Sequence, residues 1–357
     1  MKGLVLAGGS GTRLRPLTYS LPKQLIPVAN TPVIEHCLTN LRDAGIEDIG
    51  IVVNEKGHQF VDALGDGARL GVRLTYLPQD KPRGLAHCVM VAREFLGDDD
   101  FAMYLGDNVF LDGITELADR FRRRRPAAQL AVTKVTDPSS YGIAEVDHDH
   151  RVRRVVEKPV RPVSDLAITG LYFFTPAVHR AIAAITPSQR GELEITDAIQ
   201  QMVEWGEPVD ACLITGQWRD TGSPPELLEC NRLVLDTIPD RRAGFVDEDS
   251  EVVGPVLIEP GARIVRSRCV GPAVIGAGAL VVESDIRPYT SIGPQAVLRR
   301  AVVEDSIIMN HAHLDGPTDI VGSVIGSHAT VRRSDPPERG HRLLIGSHCV
   351  VHVGNPS

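Results

Sequence analysis

No run of eighteen apolar residues occurs in the 357-residue chain, so no helix is expected to cross a membrane. No C-x-x-C pair occurs either, since Cys37, Cys88, Cys212, Cys230, Cys269 and Cys349 are scattered. That spacing argues against a zinc site or a disulfide framework, and reduced thiols suit a cytoplasmic protein. Positive charge is in deficit, with 38 Lys and Arg against 46 Asp and Glu and a net charge of −8. Nucleic acid and anionic membrane surfaces are therefore not expected as partners, although a locally basic site for a small anion is compatible with an acidic chain. Met1-Lys2 leads straight into Gly3–Leu6, so no secretory leader is expected. Hydrophobic residues at 43% and charged residues at 24% exclude disorder and collagen-like structure, and the length suggests two domains.

The two parts have different periods. Up to about residue 240, short apolar runs (Gly3–Leu6, Ile49–Val53, Leu74–Leu77, Phe101–Leu105, Leu130–Thr133) alternate with helical patterns near Thr31–Ala44, Leu85–Phe95 and Ile114–Arg124. Such alternation predicts an α/β domain over 1–240, with a mostly parallel sheet whose ligands sit beyond the strand carboxyl ends. Pro225–Ile238 reads as a helix that spaces the two parts. Over 241–357, aliphatic residues recur about every six positions: Ile258, Ile264, Val270; Ile275, Val281; Ile286, Ile292, Leu298; Ile325, Val331; Ile345, Val351. Hexad repeats predict a parallel β-helix, which the register in separate runs favours over a β-sandwich. The repeats break near Met309–Ile320 and Ser334–Arg342, which read as loops or a folded-back tail.

The first strand runs into Gly8-Gly9-Ser10-Gly11-Thr12-Arg13-Leu14-Arg15-Pro16. Glycines let backbone N–H groups approach an anion, and Arg13 and Arg15 add charge for phosphate oxygens. No Lys follows Gly11, and Leu14 stands where a third dinucleotide-fold glycine belongs. Neither a P-loop ATPase nor an ordinary dinucleotide-binding dehydrogenase is supported. A tight strand–helix turn would explain the glycines but not the two arginines.

This loop, with Pro22-Lys23-Gln24-Leu25-Ile26-Pro27-Val28, resembles the signature of sugar-nucleotide pyrophosphorylases. Further motifs follow in order: Gln79 with Gly84-Leu85-Ala86, Leu105-Gly106-Asp107-Asn108, Tyr141-Gly142, Glu157-Lys158-Pro159, Thr169-Gly170-Leu171-Tyr172, Arg190 to Asp197, and Trp218-Arg219-Asp220-Thr221-Gly222. Within the family the chain is most similar to the long-form members that join dTTP to α-D-glucose 1-phosphate for deoxysugar and antibiotic biosynthesis. The resemblance implies a Rossmann-like nucleotidyltransferase domain with a mostly parallel mixed sheet, followed by a left-handed parallel β-helix.

It also implies roles. Gly8, Gly9, Gly11, Thr12, Arg13 and Lys23 would bind the nucleotide, with Arg13, Lys23 and Lys158 catalytic. Gln24, Gln79 and the Gly84 backbone would read the base. A Gln carries donor and acceptor for a thymine or uracil imide edge, and a methyl is worth only about 1–3 kcal/mol in an apolar pocket, so UTP is a second candidate. Asn108, Gly142, Glu157, Lys158, Ile168 and Arg190 would hold the sugar phosphate, Trp218 would form an apolar wall, and Asp107 with Asp220 would hold Mg²⁺. Three positions depart from the short-form pattern: His87 stands where Gln is common, Arg219 replaces a hydrophobic residue, and Ser223 replaces Thr.

Arg120 and Arg122–Arg125 read as a solvated helix end that complements the helix dipole, ahead of an effector phosphate site. The β-helix reads as an oligomerisation module, making the protein a homo-oligomer. Its alternative is an acetyl-CoA-dependent acyltransferase using Asn310, His311, His313, His328, His341 or His348. A non-catalytic sugar-nucleotide-binding subunit is disfavoured by the intact Arg13, Lys23, Asp107, Lys158 and Asp220.

Overall fold

The computed structural model describes residues 1–332 together with 348, 350 and 351. The expected loop at Ser334–Arg342, Ile345 and His341 lie outside the described residues. Contacts divide the chain into two compact units, 1–10 with 33–219, and 11–32 with 220–357.

The first unit is built on a nine-stranded sheet. Its strands are β1 (Lys2–Leu6), β2 (Asp48–Val53), β3 (Arg73–Pro78), β4 (Phe101–Leu105), β5 (Ala128–Lys134), β6 (Gly142–Val146), β7 (Val152–Glu157), β8 (Leu166–Phe174) and β9 (Val209–Leu213). The main order is β7-β6-β8-β4-β1-β2-β3, and β5 pairs with β8 and β9. The pairs β1–β2, β1–β4, β2–β3 and β5–β9 are parallel. Strand β8 runs antiparallel to β4, β5 and β6, and β7 runs antiparallel to β6. The sheet is thus more mixed than the five apolar runs suggest. The run over Leu166–Phe174, buried from Ala167 onward, was the available signal for β8.

Central strands read as continuous apolar runs because both faces are covered: Leu4, Val5, Phe101, Ala102, Met103 and Tyr104 have no exposed surface. Helix Val33–Asp43 buries Val33, Ile34, Cys37, Leu38 and Leu41, the spacing of a single helical stripe. The basic helix end pairs with its own acids, Arg122 with Asp119, Arg124 with Asp210 and Arg125 with Asp100.

The second unit contains the parallel β-helix. Its usual coil is 17 residues long, as the stacked bonds Arg266–Glu283, Arg287–Glu304 and Ser284 N–H to Ser267 Oγ show, with a shorter step where Ile292 stacks on Ile308. Ile258, Ile264, Ile275, Val281, Ile286, Ile292 and Leu298 are fully buried, as the hexads predict. Val270 is a correction: Cys269 fills the interior there and Val270 is only partly buried. A 17-residue coil has three faces, so one step in three is five residues rather than six. Ile325 and Val331 are partly buried against the same core, whereas Val351 is 52% exposed. The expected loop at Met309–Ile320 is a second correction. His313–Val321 is a strand parallel to Val297–Glu304, and the apparent break is a register shift opposite Arg299 and Ala301.

One corner of the coil has left-handed backbone at Gly261, Gly278, Gln295, His311 and His328. His311 and His328 occupy successive rungs there, their rings stacked 4.8 Å apart at 8°. Their placement follows from the repeat itself.

The expected spacer helix runs from Pro224 to Leu235, opened by proline, with Ser223 Oγ donating to Glu226 Oε2 over 2.7 Å. It is not a free spacer. Asn231 is fully buried; its Oδ1 accepts from Ala29 N–H (2.8 Å) and Ser291 Oγ (2.7 Å), and its Nδ2 donates to Tyr289 O (3.2 Å). Arg232 pairs with Asp305, and Asn30 Nδ2 donates to Ile292 O over 2.8 Å. These bonds fasten segment 11–32 and the helix to the β-helix, which is why the unit division does not follow the change of period near 240.

Candidate active site

Within the first unit, four of the predicted residues follow the ends of parallel strands. Gly8 and Gly9 follow β1, Gln79 follows β3 and Asp107 follows β4. Asn54 Nδ2 donates to Gly8 O over 3.3 Å. A Cβ on Gly8 would stand 2.9 Å from Gln79 Oε1, so the glycine leaves room for that carbonyl.

Gly84 has φ +98, and a Cβ there would run into the backbone oxygen of Leu193. Around it Ala86 N–H donates to Leu193 O (3.0 Å) and Leu193 N–H to Arg83 O (2.8 Å). Only glycine suits this close crossing. Gly84→Ala is expected to cost about 1–3 kcal/mol or more of stability, seen as a lowered thermal midpoint. An unchanged midpoint would mean that the crossing relaxes freely.

Asp107 is 9% and Asn108 3% exposed. Asn108 Nδ2 donates to Asp107 Oδ1 over 3.0 Å, and Asn108 Oδ1 accepts from Trp218 Nε1 over 2.6 Å. Trp218 in turn packs edge-on to Tyr141. The Asn108 amide is thus engaged in aiming the Asp107 carboxylate. Trp218, placed by sequence as an apolar wall, also carries the polar end of this chain of bonds. Gly170, at φ +75, marks the irregularity in β8, where a Cβ would press on Leu105 and Asn108.

A third group surrounds Glu157 at the end of β7. Gly142 pairs with Glu157 across β6. Glu157 Oε2 accepts from Thr196 Oγ1 over 3.2 Å, and Oε1 lies 3.7 Å from Lys158 Nζ and 3.5 Å from Arg190 Nη1. Arg190 also faces Glu192 at 3.2 Å and Glu194 at 3.5 Å. Lys158 has left-handed backbone, φ +41, held by its N–H donating to Tyr141 O over 3.0 Å. Burial, then Glu157 and Glu192, raises the Glu194 carboxyl, with Ser188 and Arg190 opposing. Two cations thus stand among three carboxylates, so charged donors and acceptors lie side by side at the end of β7. Ile168, 5% exposed, lies on β8.

The second unit holds the other predicted residues. Gly11, φ +61, opens the turn Thr12–Leu14, and its carbonyl accepts from Thr18 Oγ1 over 2.8 Å. Arg13 Nη2 lies 3.9 Å from Asp220 Oδ2, with side chains 64% and 23% exposed. A Cβ on Gly222 would strike that guanidinium, so the glycine of Trp-x-Asp-Thr-Gly clears space for Arg13. Lys23 opens a second tight turn, Lys23–Leu25. Gln24 is 1% exposed, and its Oε1 has no hydrogen-bond partner among the described residues. Asp107 and Asp220 fall in different units. Among the described residues, the one group of three clustered metal-ligand side chains is Asp147, His148 and Asp149. It is an exposed turn, where Asp147 Oδ1 accepts the N–H groups of Asp149 and Arg151.

The glycine loop after β1 sits at the carboxyl end of parallel strands, the place where α/β sheets commonly take phosphorylated ligands. The nucleotidyl transferase family profile matches residues 2–237, and the chain belongs to that family. It is 49% identical over 355 residues to a glucose-1-phosphate thymidylyltransferase of Streptomyces griseus, covering 99% of this chain and 100% of the relative. It is 47% identical over 354 residues to the enzyme of the same name from Streptomyces antibioticus, covering 99% of each. A Bacillus anthracis crystal structure with sucrose, provisionally assigned as a glucose-1-phosphate thymidylyltransferase, superposes with TM-score 0.61 at 35% identity, over 65% of this chain and 94% of its own. No helix among the described residues is long and apolar enough to cross a membrane.

Proposed function

We propose that the protein joins dTTP to α-D-glucose 1-phosphate, releasing pyrophosphate and forming dTDP-glucose, the activated sugar from which a deoxysugar pathway starts. The full-length identity to two thymidylyltransferases carries this reading. A phosphate oxygen of the sugar phosphate attacks the α-phosphorus. The bond from that phosphorus to the bridging β-phosphate oxygen breaks, and the electron pair leaves with pyrophosphate. No protein nucleophile is needed, so positioning and charge neutralisation supply the rate. Gly8, Gly9, Gly11 and Thr12 would hold the triphosphate by backbone N–H groups. Arg13 would neutralise the leaving pyrophosphate, and Lys23 would contact the α-phosphate. Lys158 and Arg190 would clamp the sugar phosphate, while Glu157, Gly142 and the Ile168 backbone would take sugar hydroxyls. Gln24, Gln79 and the Gly84 backbone would read the base.

Asp107 and Asp220 would hold Mg²⁺. Their hard carboxylate oxygens, one aimed by Asn108, fit an ion that keeps several waters and takes one or two carboxylates. When bound, it supplies positive charge to the phosphate oxygens in the transition state. A cytoplasmic location and self-association through the β-helix belong to the same proposal. Light scattering of the purified protein tests the latter, with a monomer mass against it.

Pyrophosphate release with dTTP, glucose 1-phosphate and Mg²⁺ is the test of the reaction. Chelation by EDTA is expected to stop it and added Mg²⁺ to restore it. Release with UTP but not dTTP would reassign the nucleotide. Thiol release from acetyl-CoA with an amino-sugar phosphate would add acyl transfer. The stacked corner placement of His311 and His328 gives that second activity no support.

A further inference from the structure

Gln79 is buried, and its main chain is fixed by N–H donation to Val53 O over 2.8 Å. Its side-chain amide has two hydrogens and one carbonyl, and their assignment follows from its neighbours. Nε2 lies 2.8 Å from His87 Nδ1 and 3.3 Å from Cys88 Sγ. Cys88 directs its own S–H to Gly84 O at 3.6 Å, so its sulfur offers lone pairs to Gln79. Burial pushes the Cys88 thiol up to about 12, which keeps it neutral and in that donor–acceptor arrangement. His87 completes the pair when its proton sits on Nε2 and Nδ1 accepts. Both amide hydrogens then have acceptors. The group left over is Oε1, which lies above Gly8 of the glycine loop.

We propose that His87 and Cys88 clamp the Gln79 amide so that it presents a carbonyl to the nucleotide base, selecting bases with an imide N–H over cytosine. The proposal rests on the reading that Gln79 faces the base. Thymine and uracil carry a hydrogen at N3 and can donate to Oε1. Cytosine carries a lone pair there and meets an acceptor with an acceptor. A reversed amide would favour cytosine, so the clamp sets the sign of the discrimination. His87 is the residue that departs from the short-form glutamine, and it acts through Gln79 as a positioning residue. Protonation of Nδ1 removes the acceptor and breaks the clamp. Burial and then Arg83 lower the His87 pKa from its ordinary 6.5, with Asp80 opposing, so the ring is neutral at pH 7.

The experiment measures kcat and KM for dTTP, UTP and dCTP in wild type, His87→Leu and His87→Asn, between about pH 8 and about pH 5. In wild type, KM for dTTP is expected to rise toward the acid end of that range, since the His87 pKa lies below its ordinary 6.5, with dCTP strongly disfavoured. His87→Leu is expected to raise KM for dTTP about tenfold, the scale of one lost hydrogen bond. It also lowers the dTTP-to-dCTP ratio of kcat/KM by about the same factor, with kcat at saturation little changed. His87→Asn offers a carbonyl that does not titrate, and it is expected to restore the ratio and to reduce the acid rise in KM to the part that comes from the substrate phosphates, which protonate at about pH 6 in every variant. An unchanged ratio in an active His87→Leu overturns the clamp. So does an acid rise as large in His87→Asn as in wild type, which covers the case where the leucine variant fails to fold. Wild type that turns over neither dTTP nor UTP overturns the functional reading instead, before any variant is compared.

Discussion

Asp107→Asn is expected to leave the fold intact and to lower kcat by at least about a hundredfold, the scale of losing one preorganised charged group. The substitution nearly preserves shape, and its amide oxygen can still accept from Asn108 Nδ2, as the carboxylate does over 3.0 Å. What disappears is a negative charge at a residue only 9% exposed, and with it one of the two carboxylates proposed as ligands for Mg²⁺. Asp220→Asn should behave alike. Asn108→Ala keeps both carboxylates but releases the aim of one, so a milder loss of about ten- to a hundredfold is expected, as for removal of a group that orients a metal ligand. The check is single-turnover pyrophosphate release at saturating Mg²⁺, with circular dichroism as the fold control. Asp107 and Asp220 variants within a few-fold of wild type would remove both residues from the metal assignment.

Asn231→Leu in the full chain is expected to show the second large effect. Leucine has a similar volume but makes none of the bonds to Ala29, Tyr289 and Ser291. Asn231 and Ser291 are fully buried and Ala29 and Tyr289 partly so, so the orphaned groups find little or no water in place of the amide. Each costs about 1–3 kcal/mol, and a loss of several kcal/mol of stability follows. Ala29 closes the segment that carries Arg13 and Lys23, so turnover should fall together with stability, and KM for dTTP should rise. Urea unfolding of the full chain and steady-state kinetics measure both. A variant as stable and as active as wild type would show that segment 11–32 is held by its other bonds alone, such as Asn30 to Ile292.

Short-range pattern was enough for several elements. The runs at β1, β2, β3 and β4 each lie within the observed strands; β1, β2 and β4 are apolar because they are largely buried on both faces, whereas the edge strand β3 alternates exposed and half-buried residues. The hexads located the β-helix because each interior position meets its copy one coil on. Positions such as Val270 failed where the step shortens from six to five, and composition alone does not mark that shortening. The antiparallel strands β6, β7 and β8 were not read as such, since a strand's direction depends on which neighbour it meets. Of the candidate site, the residue types and their order were legible in the motifs. The engagement of Asn108 and Trp218 with Asp107 was not, because it joins positions 110 residues apart.

By itself the sequence determined the residue classes: glycines where backbone approaches closely, cations beside glycine turns, carboxylates at strand ends, and an aliphatic ladder for the coil. Those follow from local conformational freedom, charge and hydrophobic period, which any chain carries along its length. Tertiary packing alone decided which atoms face outward. It turned the Gln79 amide by placing His87 and Cys88 beside it, joined segment 11–32 to the repeats through Asn231, and made Asn108 a support for Asp107. Hydrogen bonds are short and directional, so only a folded chain can choose between the two ends of an amide.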